Sequence, residues 1–275
     1  YKEGFLDKPI VNEYAELLWS WIHSLKPDLK RKPLWPEGKE FAVCLTHDVD
    51  SLKRYSVLPP AFSIGSALVK QRKPRLAFDI AQDYLKTFVH LKKDPFDTFD
   101  YMLNLEREYG FKSSFYFMSG GDSKFDGRYS IKKPKVRGLI RKIQSQDCEV
   151  GLHASYDSYS DLERIALEKE TLHRVVNNET YGCRQHYLRF RIPETWRIQE
   201  RAGLLYDATL TFADHAGFRC GICLPFKPFD IIENRKLNIW ELPLTVQEGT
   251  LQRAGYQNLP PEEAYKETAG VRPTA

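Results

Sequence analysis

The sequence predicts an α/β protein built on a parallel sheet or barrel. Short apolar runs of strand length alternate with stretches of helical periodicity, as in chains that return to one sheet through helices. At least six such runs occur within 275 residues, a length sufficient for one large domain or two small ones. Polar residues capable of chemistry gather at the ends of these runs, where parallel sheets and barrels place their sites.

The elements follow in order. Residues 11–24 predict an amphipathic helix with Tyr14, Leu17, Leu18, Trp21 and Ile22 on one face. Residues 26–38 contain three prolines and predict a connector. Residues 41–47 (FAVCLTH) predict the first buried strand. Residues 51–93 predict a helical insertion, with Pro59-Pro60 near its start and helical periodicity from Leu76 to Leu91. Residues 97–109 predict a helix that Gly110 ends. A strand at 112–118, a helix at 134–146, a strand at 148–153 and a long charged helix at 158–176 come next. Residues 183–190 alternate like a strand, and 195–202 predict a short helix ended by Gly203. Residues 205–210 and 239–246 predict further strands. The closing stretch, 265–275, is polar and poor in helix formers.

Several function classes are excluded. No apolar run approaches the ~20 residues that span a bilayer. A net charge of +4 is weak for this length, and the basic clusters at 30–32, 70–75 and 132–142 read as solvated faces, so no nucleic-acid partner is expected. Five cysteines without a leader point to a reducing compartment, and we expect a cytoplasmic protein. Cys220 and Cys223 form a CxxC pair, but Pro225 follows at once and no second ligand pair exists at zinc-site spacing. We read that pair as local packing.

The chemistry concentrates at three places. Asp48 and Asp50 lie two apart at a strand end and share a face if extended. Two such carboxylates repel unless a metal, an arginine or a proton intervenes, so they read as one base and one ligand. His153 follows an apolar run, with Asp157 four residues later. His153, Asp157 and Asp50 would give a three-ligand site with open positions. Arg184 and His186 also lie two apart, and an arginine beside Asp48 would hold it ionised.

These residues together resemble the polysaccharide deacetylases, the NodB-like group of carbohydrate esterase family 4 in the broad sense. The resemblance rests on Thr46-His47-Asp48-Val49-Asp50, Gly151-Leu152-His153-Ala154-Ser155-Tyr156-Asp157 and Gly182-Cys183-Arg184-Gln185-His186, and it runs from about Phe41 to Leu251. It is nearest to a subgroup carrying the Thr-His-Asp-Val-Asp motif. It implies a distorted (β/α)7 barrel over 36–275, with the insertion at 51–93 and an N-terminal helical segment at 1–35 belonging to an upstream region. It also implies a C-terminal part, with a late strand and histidine, that should follow 249–264 and is expected to be missing.

By resemblance Asp48 is the catalytic base, drawing a proton from a water at a divalent metal, normally zinc, and Asp50 and His153 are ligands. Asp157 stands where the family has a second histidine. Arg184 matches the arginine that orients the base, although Arg191-Ile192-Pro193 fits the literal Arg-x-Pro pattern. His186 is then a third ligand, a substrate contact or the general acid. Tyr156 and Trp196 are expected to stack on sugar, and Glu248 to tune the acid. The implied reaction removes an N-acetyl group from an amino-sugar glycan or precursor. Competing expectations are an impaired glycan-binding relative, a hydrolase of a non-sugar amide or ester, and an α/β domain with coincidental polar strand ends. Oligomeric state is left open.

Overall fold

A computed structural model describes residues 3–54, 60–89, 91–176 and 181–271. Pro59 and the last four residues, on which parts of the insertion and C-terminal expectations rest, lie outside these. Six strands form a parallel sheet in the order β1-β2-β3-β4-β5-β8. They are β1 (Leu45–Val49), β2 (Ser113–Phe117), β3 (Glu149–Ala154), β4 (Gly182–Gln185), β5 (Tyr206–Asp207) and β8 (Trp240–Glu241). A small antiparallel pair, β6 (Phe229–Asp230) with β7 (Arg235–Lys236), was not expected from the sequence. No helix of the described residues is long and apolar enough to cross a membrane.

The chain divides into two compact units, Leu45–Tyr156 with Leu167–Asn178, and Tyr1–Cys44 with Asp157–Ala166 and Glu179–Ala275. In the first, β1, β2 and β3 pair in parallel, with Asp48 opposite Tyr116 and Phe117 opposite Leu152. Phe115, Tyr116, Phe117 and Leu152 are fully buried, so β2 and β3 lie within the core, while β1 is half-buried over most of its length. Its helices are α2 (Pro60–Gly65), α3 (Pro74–Phe88), α4 (Phe99–Glu108) and α5 (Pro134–Gln144). Long α6 (Leu162–Val176) runs from the second unit into the first.

The first strand starts later than its apolar run. β2 begins at Ser113, and Leu45 is the first residue of β1 to find a partner there. Phe41 and Val43, expected inside the strand, are exposed instead. Asp48 therefore sits within β1 rather than beyond it. His153 likewise sits inside β3. The start of β2 follows from the end of α4. The Phe111 amide donates to the Glu106 carbonyl at 2.8 Å and the Gly110 amide to Arg107 at 3.2 Å. With Gly110 at φ 71°, this is the left-handed stop expected of that glycine.

In the second unit β4, β5 and β8 pair in parallel. The alternation at 183–190 does not continue as strand. β4 ends at Gln185, and His186–Leu188 form a tight turn with Tyr187 and Leu188 at positive φ. The strands expected at 205–210 and 239–246 shorten to two residues each. α7 (Glu194–Arg201) ends on Gly203 by the same two-bond closure as α4, Leu204 to Gln199 and Gly203 to Glu200.

α1 (Ile10–Leu25) forms as expected, but its apolar face stays exposed, with Trp21 at 58%. The segment is not a loose tail. Backbone bonds join Val11 to Gly221 and Phe218 to Leu6, and Asn12 accepts from the Cys223 amide. Short α8 (Glu248–Gln252) and α9 (Pro261–Gly270) follow β8, so the helix-poor reading fails through residue 270. Ala264 of α9 packs with Leu251 and Ala216, which supplies the apolar burial that raw propensity underrates.

Two glycines make a ranked prediction. A Cβ on Gly182 would lie 1.9 Å from the Tyr206 ring, inside the β4–β5 pair. A Cβ on Gly110 meets nothing within 4 Å and costs only the left-handed backbone, about 1–2 kcal/mol. Urea unfolding should show Gly182→Ala as the more destabilising change. Equal midpoints would mean the strand pair yields without cost.

Candidate active site

Asp50 lies just beyond β1, and its Oδ1 stands 3.1 Å from Nε2 of His153 on β3. The imidazole is 2% exposed and the carboxylate 58%, so a buried nitrogen faces an anion open to solvent. Period-two alternation puts Asp48 and Asp50 on one side of β1 and His47 on the other. His47 points toward the helix layer, 2.6 Å from buried Glu106 of α4, which also accepts from Ser113 at 2.7 Å. It stacks against Phe115 and joins strand to helix.

The ends of these strands are held by groups the sequence reading missed. Tyr129 donates to the Val49 carbonyl at 2.7 Å and accepts from the Met118 amide at 2.8 Å. Burial pushes its hydroxyl far above the ordinary range, so it remains a neutral donor. Asp126 accepts from the Tyr156 and Ser123 amides, both at 2.8 Å. Buried Glu168 of α6 accepts from the Ser155 amide at 3.0 Å and pairs with its hydroxyl. None of the three falls at the end of a predicted strand, and only their distance in sequence hid them.

Tyr156 is half-buried and lies 4.4 Å from the Phe125 ring, leaving part of an aromatic face at the end of β3. Asp157, expected as a metal ligand, is ion-paired with Arg189 at 2.8 Å and 53% exposed. A guanidinium on the carboxylate competes directly with a cation there.

In the second unit, Arg184 on β4 is buried and its Nε donates to the Ala208 carbonyl at 2.8 Å. Arg191, the other match to the arginine motif, is exposed and lies over the Tyr159 ring. His186 is buried in the turn after β4, edge-on to Tyr187. The structure thus separates Arg184, on a strand, from His186, past its end. Trp196 does not offer a stacking surface. It is 6% exposed, with its indole donating to Glu241 at 2.8 Å and its ring against Phe190. Glu248 is exposed at the first position of α8. The five cysteines are free, and burial pushes the Cys220 thiol up to about 12.

A carboxyl pair stands behind β4. Asp207 and Glu241 are partners across β5 and β8, and both are fully buried. Asp207 accepts from the Thr209 amide and hydroxyl at 2.8 and 2.7 Å and from Gln199. Thr209 in turn accepts the Gln185 amide at 3.0 Å, so the pair supports the end of β4. Burial raises both ionisations, and for Glu241 the Asp207 charge adds to it. The pair therefore keeps a proton more readily than free carboxyls do.

No family model matches the sequence, and no curated protein matches it. Similar solved structures include the following two. One, assigned as a polysaccharide deacetylase from Mycobacterium smegmatis, is 18% identical over 88% of this chain and 77% of its own, with a TM-score of 0.48. The other, IcaB from Ammonifex degensii, is 15% identical over 59% of this chain and 69% of its own, with a TM-score of 0.35.

The carboxyl pair predicts a pH dependence. In the unfolded chain both groups ionise near pH 4. The folded chain holds a proton above that, so it binds more protons and loses stability as pH rises through the raised ionisation. Glu241→Gln keeps a donor toward Asp207 and an acceptor for Trp196 without a titrating proton. Thermal melts across pH should show a flatter profile for this variant on the alkaline side. Parallel profiles would mean that the pair carries no extra proton.

Proposed function

We propose that this chain is a metal-dependent hydrolase that removes N-acetyl groups from an amino-sugar glycan or glycan precursor. The observation that carries the reading is the pairing of Asp50 with buried His153 at the ends of β1 and β3, with Asp48 on the Asp50 side of the same strand. The Thr-His-Asp-Val-Asp and Gly-Leu-His motifs that hold these residues are those whose resemblance suggested deacetylation. In this reading residues 36–275 form the distorted barrel with 51–93 inserted, and 1–35 are an N-terminal helical segment bonded to residues 218–223. Free thiols suit the cytoplasm.

The donor chemistry fits a divalent ion such as zinc. Asp50, His153 and His186 are the group among the described residues able to hold one, and two imidazoles with one carboxylate make a borderline-soft, open set. We assign His186 to the place first expected of Asp157, whose carboxylate is engaged by Arg189. When bound, the ion supplies Lewis-acid polarisation of the acyl carbonyl and acidifies water.

The protein's own groups do the rest. Asp48 takes a proton from the attacking water, as a general base worth about 10²–10⁴-fold. By the resemblance, Arg184 is the arginine that would orient Asp48. The proton that Asp48 gains equals the one the departing amine needs, so the balance closes. Tyr156 lies at the end of β3 as a face for a sugar ring, and Glu248 is the carboxylate assigned to tune the acid.

Asp48→Asn should lower release of acetate from N-acetylglucosamine oligomers by about 10³-fold while leaving metal content intact. Asp50→Ala, His153→Ala and His186→Ala should each lower metal per chain, measured by plasma mass spectrometry. Full activity in the Asp48 variant overturns the base assignment, and unchanged metal content overturns the ligand set.

A further inference from the structure

In the first unit a helical hairpin follows β1, made of α2, a π-helical turn at Ser66–Lys70 and α3. Its inward side is small, with Ala67 and Ala77 as its buried residues. Its outward side is apolar. Phe78, Leu85 and Phe88 fall at helical spacing on one face of α3 and are 66%, 61% and 67% exposed. Phe62 on α2 is 67% exposed and Val69 in the turn 81%. Soluble surfaces rarely leave such a stripe uncovered.

The connection between the two helices is basic. Lys70, Arg72, Lys73 and Arg75 are all exposed, and none makes an ion pair among the described residues. The acids on α3 are Asp79 and Asp83, and Asp83 is taken up by Lys92. An apolar stripe with an unneutralised cationic end matches a surface that is apolar beneath and anionic at its rim. A second copy of this chain would set the same cations against themselves.

We propose that this hairpin docks the protein on an anionic lipid bilayer, with Phe62, Val69, Phe78, Leu85 and Phe88 entering the interface and the Lys70–Arg75 stretch meeting the headgroups. Lipid phosphate provides the counter-charge, and the phenylalanines lie at the depth where acyl chains begin. No covalent step is involved, and the docking stands independently of the proposed hydrolysis.

Co-sedimentation of the full chain tests it, with vesicles of phosphatidylcholine alone and vesicles containing about one third phosphatidylglycerol. The protein should pellet with the anionic vesicles only, and release when salt is raised to about 1 M, where screening reaches ~3 Å. Lys70→Glu with Arg72→Glu should weaken partitioning by at least about 25-fold, roughly fivefold per lost cation. Phe78→Ser with Phe88→Ser should abolish pelleting while the melting curve holds, because both side chains are exposed in the parent. Salt release of the parent provides a readout that needs no variant. Three results would overturn the proposal: parent protein left in the supernatant with anionic vesicles, pelleting indifferent to lipid charge and salt, or a stable dimer by sedimentation velocity that the phenylalanine changes dissociate.

Discussion

The Tyr129 hydroxyl takes the amide just past β2 and gives its proton to the last carbonyl of β1. Parallel strands that stop at the same edge leave backbone groups unpaired there, and leaving them so in the interior costs about 1–3 kcal/mol each. One phenol satisfies both groups and fixes where the chain leaves β1, which is where Asp50 begins. Because burial keeps that phenol neutral, it acts as a donor and acceptor at once.

The same logic recurs wherever a strand ends in polar sequence. Asp126 and Glu168 collect the amides of Tyr156 and Ser155, so the chain after β3 turns on two carboxylates instead of on water. Thr209 and Asp207 do this for Gln185 at the end of β4. A site assembled on strand ends needs these supports, since a first row of ligands moves if the backbone carrying it moves. Glu106 shows the complementary use, holding His47 and Ser113 on the helix side, away from Asp48.

Much of the layout was legible in the residues. Gly110 and Gly203 stop their helices in the left-handed region as their positions suggest. The apolar runs at 112–118 and 148–153 become β2 and β3 within a residue or two. Asp50 and His153 stand 3.1 Å apart across β1 and β3. The failures share a cause. Phe41 and Val43 have strand character but reach no partner in β2, and Trp196 has the look of a sugar platform but is packed into the core with its N–H engaged.

Local pattern determines the alternation of helix and strand, the caps, and the face on which Asp48 and Asp50 lie, because these depend on residues within a turn or a pleat of one another. Tertiary structure decides which carboxylates are spent on the scaffold. Asp157 is committed to Arg189, Asp207 and Glu241 are buried side by side in the sheet, and Asp126 and Glu168 accept backbone amides. A carboxylate's role is set by the donors that surround it, and those donors come from segments tens of residues away, at distances no spacing rule encodes.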